Sequence, residues 1–293
     1  MRHVGSQGTT RSRRPLEVYC RALEGGAREK LQIVLPWIWA EPGGEILDVG
    51  SGTGLIAAAE ARRSGHSSVI AIDSAPEMLA AAQRLYGSCP NLYFRNGVAD
   101  QVHSAGATTV VLSSVLHEVF SYSGGSGEAV ARVLRAAWQS LRPGGRLIIR
   151  DFIGPLCHAK EVLVQHRCSD IVAGHDFATF SRRSRHPVTL YGSCHKAGCI
   201  IYRTDLGSAF EFVLRKDYHE MWDFELEERY GFWTQSQAEA AVDSQGFRIL
   251  HSRSFASAWA EATSLSGKVQ LLDPASLRPL HPSPHQLLLV AER

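Results

Sequence analysis

Short apolar runs alternate with stretches of helical period along the first half of this chain. Glu45 to Val49 is a compact apolar run that stops at three alternating glycines, Gly50, Gly52 and Gly54. The alanine-rich residues after them meet no breaker before Gly65, and a β-branched run, Ser68 to Ile72, then closes on Asp73. The pattern predicts strand, tight turn, helix and strand. Pro76 to Tyr86 reads as the next helix, with Pro76 in its first turn and Gly87 beyond its end. Asn91 to Arg95 reads as a third strand and Thr108 to Ser113 as a fourth, whose lack of alternation implies burial on both faces. A helix over Glu128 to Leu141 leads through LRPGG, expected to be a tight turn, into a fifth strand over Arg146 to Arg150. Upstream, Leu16 to Trp39 has helical spacing with a break at Gly25-Gly26 and a kink at Pro36.

Strand, glycine turn, helix and strand in that order form a βαβ unit that holds a nucleoside-containing ligand at the strand ends. Glycine lets backbone approach a ligand where a Cβ would collide. Asp73, at the tip of the second strand, stands where one carboxylate can accept both hydroxyls of a ribose. The dinucleotide fingerprint would need its third glycine one residue later, where this chain has Leu55. The pattern D-x-G-x-G-x-G starting at Asp48, with Asp73 and the PEML helix start behind it, resembles the first motifs of the class I S-adenosylmethionine (SAM)-dependent methyltransferases. The R-P-G-G element before the fifth strand is similar to a further marker of that family.

The resemblance implies that Asp48, Gly50, Gly52 and Gly54 hold the methionine part of SAM, that Asp73 binds its ribose and that Met78 covers its adenine. Family members often carry Gly-Asp-Ala after the third strand, with the Asp on the adenine amino group. Aligned on Gly97, that carboxylate falls here on Val98, so the adenine edge is expected to meet backbone groups at Val98 and Ala99, or Asp100 displaced by two positions. In such an open parallel sheet the carboxyl ends of the strands face the ligand. Ser113, Ser114, His117 and Glu118 are therefore expected beside the transferable methyl, Ser113 as a cofactor contact.

The same family plan asks for one more helix and two more strands, best matched by Ser236 to Ser244, Phe247 to Ser252 and His285 to Ala291. The expected fold is α/β: a Rossmann-like, doubly wound, seven-stranded, mostly parallel sheet with an N-terminal helical region and a large cap insertion after the fifth strand. Its divisions are a flexible tail over 1–15, N-terminal helices and SAM-binding core over 16–151, a cap over 152–233, and the rest of the core over 234–293. About eighty residues between Asp151 and Thr234 exceed the plan, and loops of that length are functional or separately folded. The insertion reads as largely helical and irregular. A smaller addition occupies Ala256 to Pro284. Tyr19, Trp37 and Trp39 are candidates for a lid or are packed helix aromatics.

Composition excludes some classes and leaves the rest. With 293 residues, 44% hydrophobic and 20% charged, the chain can bury a proper core. A net charge of +2 without a concentrated basic face argues against nucleic acid as partner. No run nears the roughly 20 apolar residues of a membrane span, and the basic first fifteen residues do not read as a secretion signal. Six scattered cysteines suit a reducing cytoplasm. Cys157, His158, His166 and Cys168, and Cys194, His195 and Cys199, lack the close C-x₂-C spacing of a structural zinc site, and no metal is expected.

Methyl transfer from a sulfonium needs a nucleophile aligned and deprotonated. His117, with an ordinary pKa near 6.5, is the candidate base, and Glu118 is expected to orient it, receive the proton or hold a cationic acceptor. Between Lys216 and Trp233, aromatic residues interleave with carboxylates. Tyr218 and Trp222 are candidate substrate contacts through cation–π attraction, and Asp151 is expected to point into the same crevice. The same segment also reads as an amphipathic helix with solvated acids. The expected acceptor is a small molecule methylated at O or N, with a slight lean to a cationic amine or guanidine. Alternatives are a non-catalytic SAM- or nucleoside-binding regulator and an RNA methyltransferase, and a homodimer is a possible assembly.

Overall fold

The computed structural model describes residue 17 and residues 26–262, 268–281 and 284–293. The expected tail over 1–15 and the lid candidate Tyr19 lie outside these residues. A helix, α1 (Ala27–Val34), precedes β1 (Glu45–Val49), α2 (Leu55–Arg63), β2 (Ser68–Asp73), α3 (Pro76–Tyr86), β3 (Leu92–Asn96) and β4 (Ala107–Ser113). Two helices, α4 (Leu116–Tyr122) and α5 (Gly127–Ser140), lead to β5 (Leu141–Phe152). Beyond the insertion come a last helix, described below, and the closing strands β9 (Arg248–Phe255) and β11 (Gln286–Glu292).

These strands form one seven-stranded sheet in the order β3-β2-β1-β4-β5-β11-β9. β1, β2, β3, β4 and β5 are mutually parallel, and β11 runs antiparallel between β5 and β9. Adjacent residues of each strand face opposite layers, so continuous apolar runs fill two cores. Leu47, Val110, Leu112 and Ile149 pack on one face. Ile46, Val69, Val111 and Ile148 pack on the other. Each fully buried aliphatic side chain there stabilises the fold by about 1.5–3 kcal/mol relative to exposure.

The strand order reverses at β1, with β2 on one side and β4 on the other, which opens a crevice at the carboxyl ends of β1 and β4. The predicted turn at LRPGG is instead taken into β5: Gly144 sits at φ 77 while the pairing with β4 shifts register between Ala107 and Thr109. Gly145 has no room for a Cβ, the Ala107 carbonyl lying 3.0 Å from where it would be.

The insertion departs from the expectation of a largely helical segment. β6 (Glu161–Arg167), β7 (Gly192–Lys196) and β8 (Cys199–Asp205) form an antiparallel sheet. A fourth strand, β10 (Val269–Leu272), comes from the smaller addition near the C-terminus and pairs with β6. Strict alternation of burial along β6, with Val162, Val164 and His166 inward, is the period-2 signature of a half-buried strand. Three helices accompany it: α6 (Phe177–Arg183), α7 (Leu206–Arg215) and the short α8 (Trp222–Glu225), with Asp176 and Asp205 capping the first two. Phe177, Phe180, Phe212 and Trp222 fill a core of their own. The last helix, α9 (Gln235–Asp243), starts with a capping box of Thr234 and Gln237 and returns the chain to the main sheet.

Trp37 and Trp39 do not reach the ligand crevice. Trp37 stacks on His251, and Trp39 lies under the Arg142 guanidinium and bonds Thr109, at the amino-terminal ends of β4 and β5. Pro36 turns the chain there through a short 3₁₀ segment, Leu35–Trp37.

Candidate active site

The turn after β1 is a cradle of bare backbone. Gly50, Gly52 and Gly54 all have positive φ, at 69, 54 and 76°. A Cβ on Gly50 would sit 2.4 Å from a Val115 methyl, so only glycine fits. Asp73 sits at the tip of β2, buried, its carboxylate accepting from the Gly52 and Ala75 amides at 2.8 and 3.0 Å. It thus ties the loop to the second strand. Asp48, in β1, accepts from the Ala57 amide at 3.1 Å. Burial pushes its carboxyl up to about 7, the Ala57 amide opposing and Asp73 adding to the rise.

Asp48, Gly50, Gly52 and Ser113 line one cavity together with Lys30, Ser51, Thr53 and Ser114. Met78 is buried in α3. Val98 is half exposed at the end of the third strand, before the short 3₁₀ turn Ala99–Gln101, and the Gly97 amide donates to the Asp73 carbonyl beside it. The displaced carboxylate Asp100 accepts from Arg132 at 3.2 Å in a surface ion pair.

His117 lies in the first turn of α4, buried at the carboxyl ends of β4 and β5. Its Nδ1 lies 2.6 Å from the Asp151 carboxylate and its Nε2 3.6 Å from Glu228. Burial alone would strip the imidazole of its proton, but the two carboxylates outweigh it and push the pKa up to about 10. The ordinary value expected from sequence therefore does not hold here: the ring carries its proton at neutral pH. Asp151 is fully buried within β5, and its other contacts are the amides of Val115, Leu116 and Phe152 at 3.1, 2.7 and 2.8 Å. It stands behind His117, and the expectation that it faces an acceptor gives way because its carboxylate is taken up by the imidazole, the amides at the start of α4 and the amide of its neighbour Phe152.

Glu228 arrives from the insertion and also accepts from the Tyr122 hydroxyl at 3.0 Å. Phe152 and Tyr230 stack at 4.0 Å, and each presents an edge or face to His117 at 5.1 Å. Glu118 is buried beside them. Ligand-type atoms of His117, Glu118 and Glu228 lie within 4.8 Å of one another.

The acidic-aromatic segment divides. Tyr218 comes to the site: burial pushes its phenol up, Glu225 and Glu228 reinforcing that and Arg150 opposing it. Trp222 does not, being packed in the insertion core against Phe180 and His175. Its place follows from the short α8, which turns Trp222 into that core. Asp223 and Glu227 pair with Arg183 and Arg185 at the surface, at 2.7 and 3.1 Å.

Three residues escaped the sequence reading. Glu228 was one acid among many with no local mark of its role. Arg150 is buried and donates to the Ser114 hydroxyl at 2.8 Å. A charged pair, Arg150-Asp151, at the end of the apolar run LII was the available signal. Lys30, in the middle of α1, carries none.

The sheet order, the glycine cradle and the carboxylate at the tip of β2 define the fold of the class I SAM-dependent methyltransferases, whose cofactor is SAM. Within it, residues 46–145 match the sequence family described as a methyltransferase domain. No curated protein matches the chain in sequence. Among solved structures, an O-methyltransferase family 2 protein from Planctomyces limnophilus DSM 3776, in complex with apigenin, superposes with a TM-score of 0.52 at 17% identity, covering 95% of this chain and 62% of its own. The mitomycin 7-O-methyltransferase gives 0.52 at 14%, over 94% of this chain and 57% of its own. A Bacillus halodurans C-125 protein described as a methyltransferase gives 0.51 at 14%, over 90% of this chain and 98% of its own. The chain thus spans about three fifths of the first two proteins, and at these identities the likeness is one of fold. Among the described residues no helix is long and apolar enough to cross a membrane.

Proposed function

We propose that the protein transfers the methyl group of SAM to a hydroxyl oxygen of a small molecule, with His117 as the base. The observation that carries this reading is the imidazole buried between Asp151 and Glu228 at the carboxyl ends of β4 and β5. The residues present fit the cofactor: a cradle that a Cβ would fill at Gly50, and a Ser51 hydroxyl buried without a partner in the same cavity wall. Asp48, the three glycines and Asp73 would hold it, with Met78, Val98 and Ala99 toward its adenine end and Ser113 toward the methionine. Bound SAM supplies a methyl carbon on a sulfonium, from which a neutral thioether departs.

What remains for the chain's own groups is to align the acceptor and take its proton. Asp151 fixes the ring through Nδ1, leaving Nε2 directed at the side where Glu228 lies. A neutral His117 accepts the hydroxyl proton at Nε2, and the two carboxylates hold the imidazolium that results. Alignment against the Phe152–Tyr230 stack excludes water and suits a flat, aromatic acceptor. Residues 152–233 serve as the acceptor-binding cap, since they supply Glu228 and Tyr230.

A cationic acceptor is disfavoured, because Glu228 already faces His117 and Tyr122 while Glu225 accepts from the Tyr230 hydroxyl at 2.9 Å. The apigenin complex and the mitomycin 7-O-methyltransferase among the structural neighbours support an oxygen acceptor. Transfer of labelled methyl from SAM should appear on members of a phenol panel and not on amines or guanidines, and should survive EDTA. Transfer to amines alone would refute the oxygen assignment, loss on chelation would point to a metal at His117, Glu118 and Glu228, and tight SAM binding with no turnover would favour a regulator.

A further inference from the structure

Two consecutive residues of α4 hold Glu228 and the chain that carries it, and the chemistry above uses neither. Ser121 is fully buried; its hydroxyl donates to the His117 carbonyl at 2.6 Å and accepts from the Arg229 amide at 2.8 Å. One hydroxyl therefore joins the backbone that bears the imidazole to the backbone next to Glu228. One residue on, the Tyr122 hydroxyl donates to Glu228 Oε1 at 3.0 Å, while Oε2 stands 3.6 Å from His117 Nε2. That separation is longer than a hydrogen bond, whereas Asp151 closes to 2.6 Å on the other ring nitrogen. A carboxylate drawn by charge alone would close on the ring to about 2.7–2.9 Å.

Resting on the reading of His117 as base, we propose that Ser121 and Tyr122 are positioning residues: Ser121 draws the Glu228 segment against His117, and Tyr122 holds the Glu228 carboxylate short of Nε2, which stays open to the acceptor hydroxyl. The acceptor proton then passes from its oxygen to Nε2, and Glu228 stabilises the imidazolium without occupying the atom that must take the proton. The other titratable groups around the ring are Asp151 from β5, Glu118 from α4 itself and Tyr230 from the insertion, with Tyr218, Glu225 and Arg150 farther out beside Glu228. The two positioning residues act on the ring in opposite senses, so their loss moves its proton affinity in opposite directions.

The test follows the titration of the His117 ring by NMR in the full chain, its signals identified by their absence in His117→Gln. Tyr122→Phe frees Glu228 to bond Nε2, and the midpoint should rise by about one unit, the worth of one charge-assisted hydrogen bond. Turnover at neutral pH should fall about tenfold with it. Affinity for the demethylated nucleoside, S-adenosylhomocysteine, should stay within about 2-fold of wild type, since neither residue lines the glycine turn. Ser121→Ala should lower the midpoint. In a Glu228→Gln background, Tyr122→Phe should add no further shift. A Tyr122→Phe midpoint at or below the wild-type value overturns the inference, as does a shift that persists without the Glu228 carboxylate. The expected midpoints together with a turnover that ignores pH would remove the base reading and leave the placement of Glu228 by these two residues in force.

Discussion

At the scale of single residues the proposed chemistry turns on one proton. His117 holds it because Asp151 and Glu228 together outweigh the cost of burying charge. As a base the ring must first lose that proton, so turnover with a hydroxyl acceptor should climb about tenfold per pH unit through the neutral range and level toward pH 10. His117→Gln should lower turnover at least 100-fold and flatten the profile, with SAM affinity within about 2-fold of wild type; a collapse of SAM binding would assign His117 to the cofactor pocket. The same shift acts on stability. A folded pKa raised above the unfolded value near 6.5 contributes stability that is complete below pH 6.5 and lost as pH rises through about 10. Urea midpoints should therefore fall across that window in wild type and less steeply in His117→Gln. The position of His117 and Glu118 was legible, because an unalternating fourth strand must be central and its carboxyl end must face the crevice. The ionisation was not, since Asp151 and Glu228 meet the ring only through tertiary structure.

At the scale of elements, the site is completed by a segment that α7 carries into place. Arg215, at the last turn of α7, is fully buried and bonds the Glu211 carboxylate at 2.7 Å. Its Nη1 donates to the carbonyls of Glu225 and Glu228. Glu211 in turn accepts from the Tyr230 and Gly231 amides at 3.1 and 2.7 Å. One buried ion pair thus satisfies the backbone of the irregular stretch that presents Glu228 and Tyr230 to His117. This explains why Lys216 to Trp233, which reads as an amphipathic helix, breaks into a 3₁₀ turn and the four-residue α8: Arg215 takes carbonyls that a continuing helix would use. Arg215→Met leaves Glu211 buried and unpaired, which should cost about 3–5 kcal/mol in urea unfolding. Arg215→Lys keeps the charge but not the fork of donors. It should lower turnover while leaving SAM affinity intact, and unchanged turnover in a folded Lys variant would mean that Glu228 is placed by something else.

The whole molecule is built on two sheets. The seven-stranded sheet was readable because its parallel strands are continuous apolar runs punctuated by glycine. The smaller one was not, because β10 is separated from β6 by most of the chain that closes the main sheet, and only their pairing makes the alternation of β6 useful. Val164 is central to it, fully buried and paired with Tyr202 on β8 and Leu271 on β10. A charge there has no partner in the apolar core around Phe177 and Phe212. The proposed division places cofactor binding on the main sheet and acceptor handling on the insertion, so Val164→Glu should disorganise the second sheet and leave the first competent. Calorimetry should find S-adenosylhomocysteine bound within about 3-fold of wild-type affinity while methyl transfer falls more than 30-fold, because Glu228 and Tyr230 no longer reach His117. Circular dichroism should show the two losses of structure separately on heating. Were nucleoside binding to vanish together with turnover, the two sheets would be one cooperative unit and the insertion a structural part of the cofactor site.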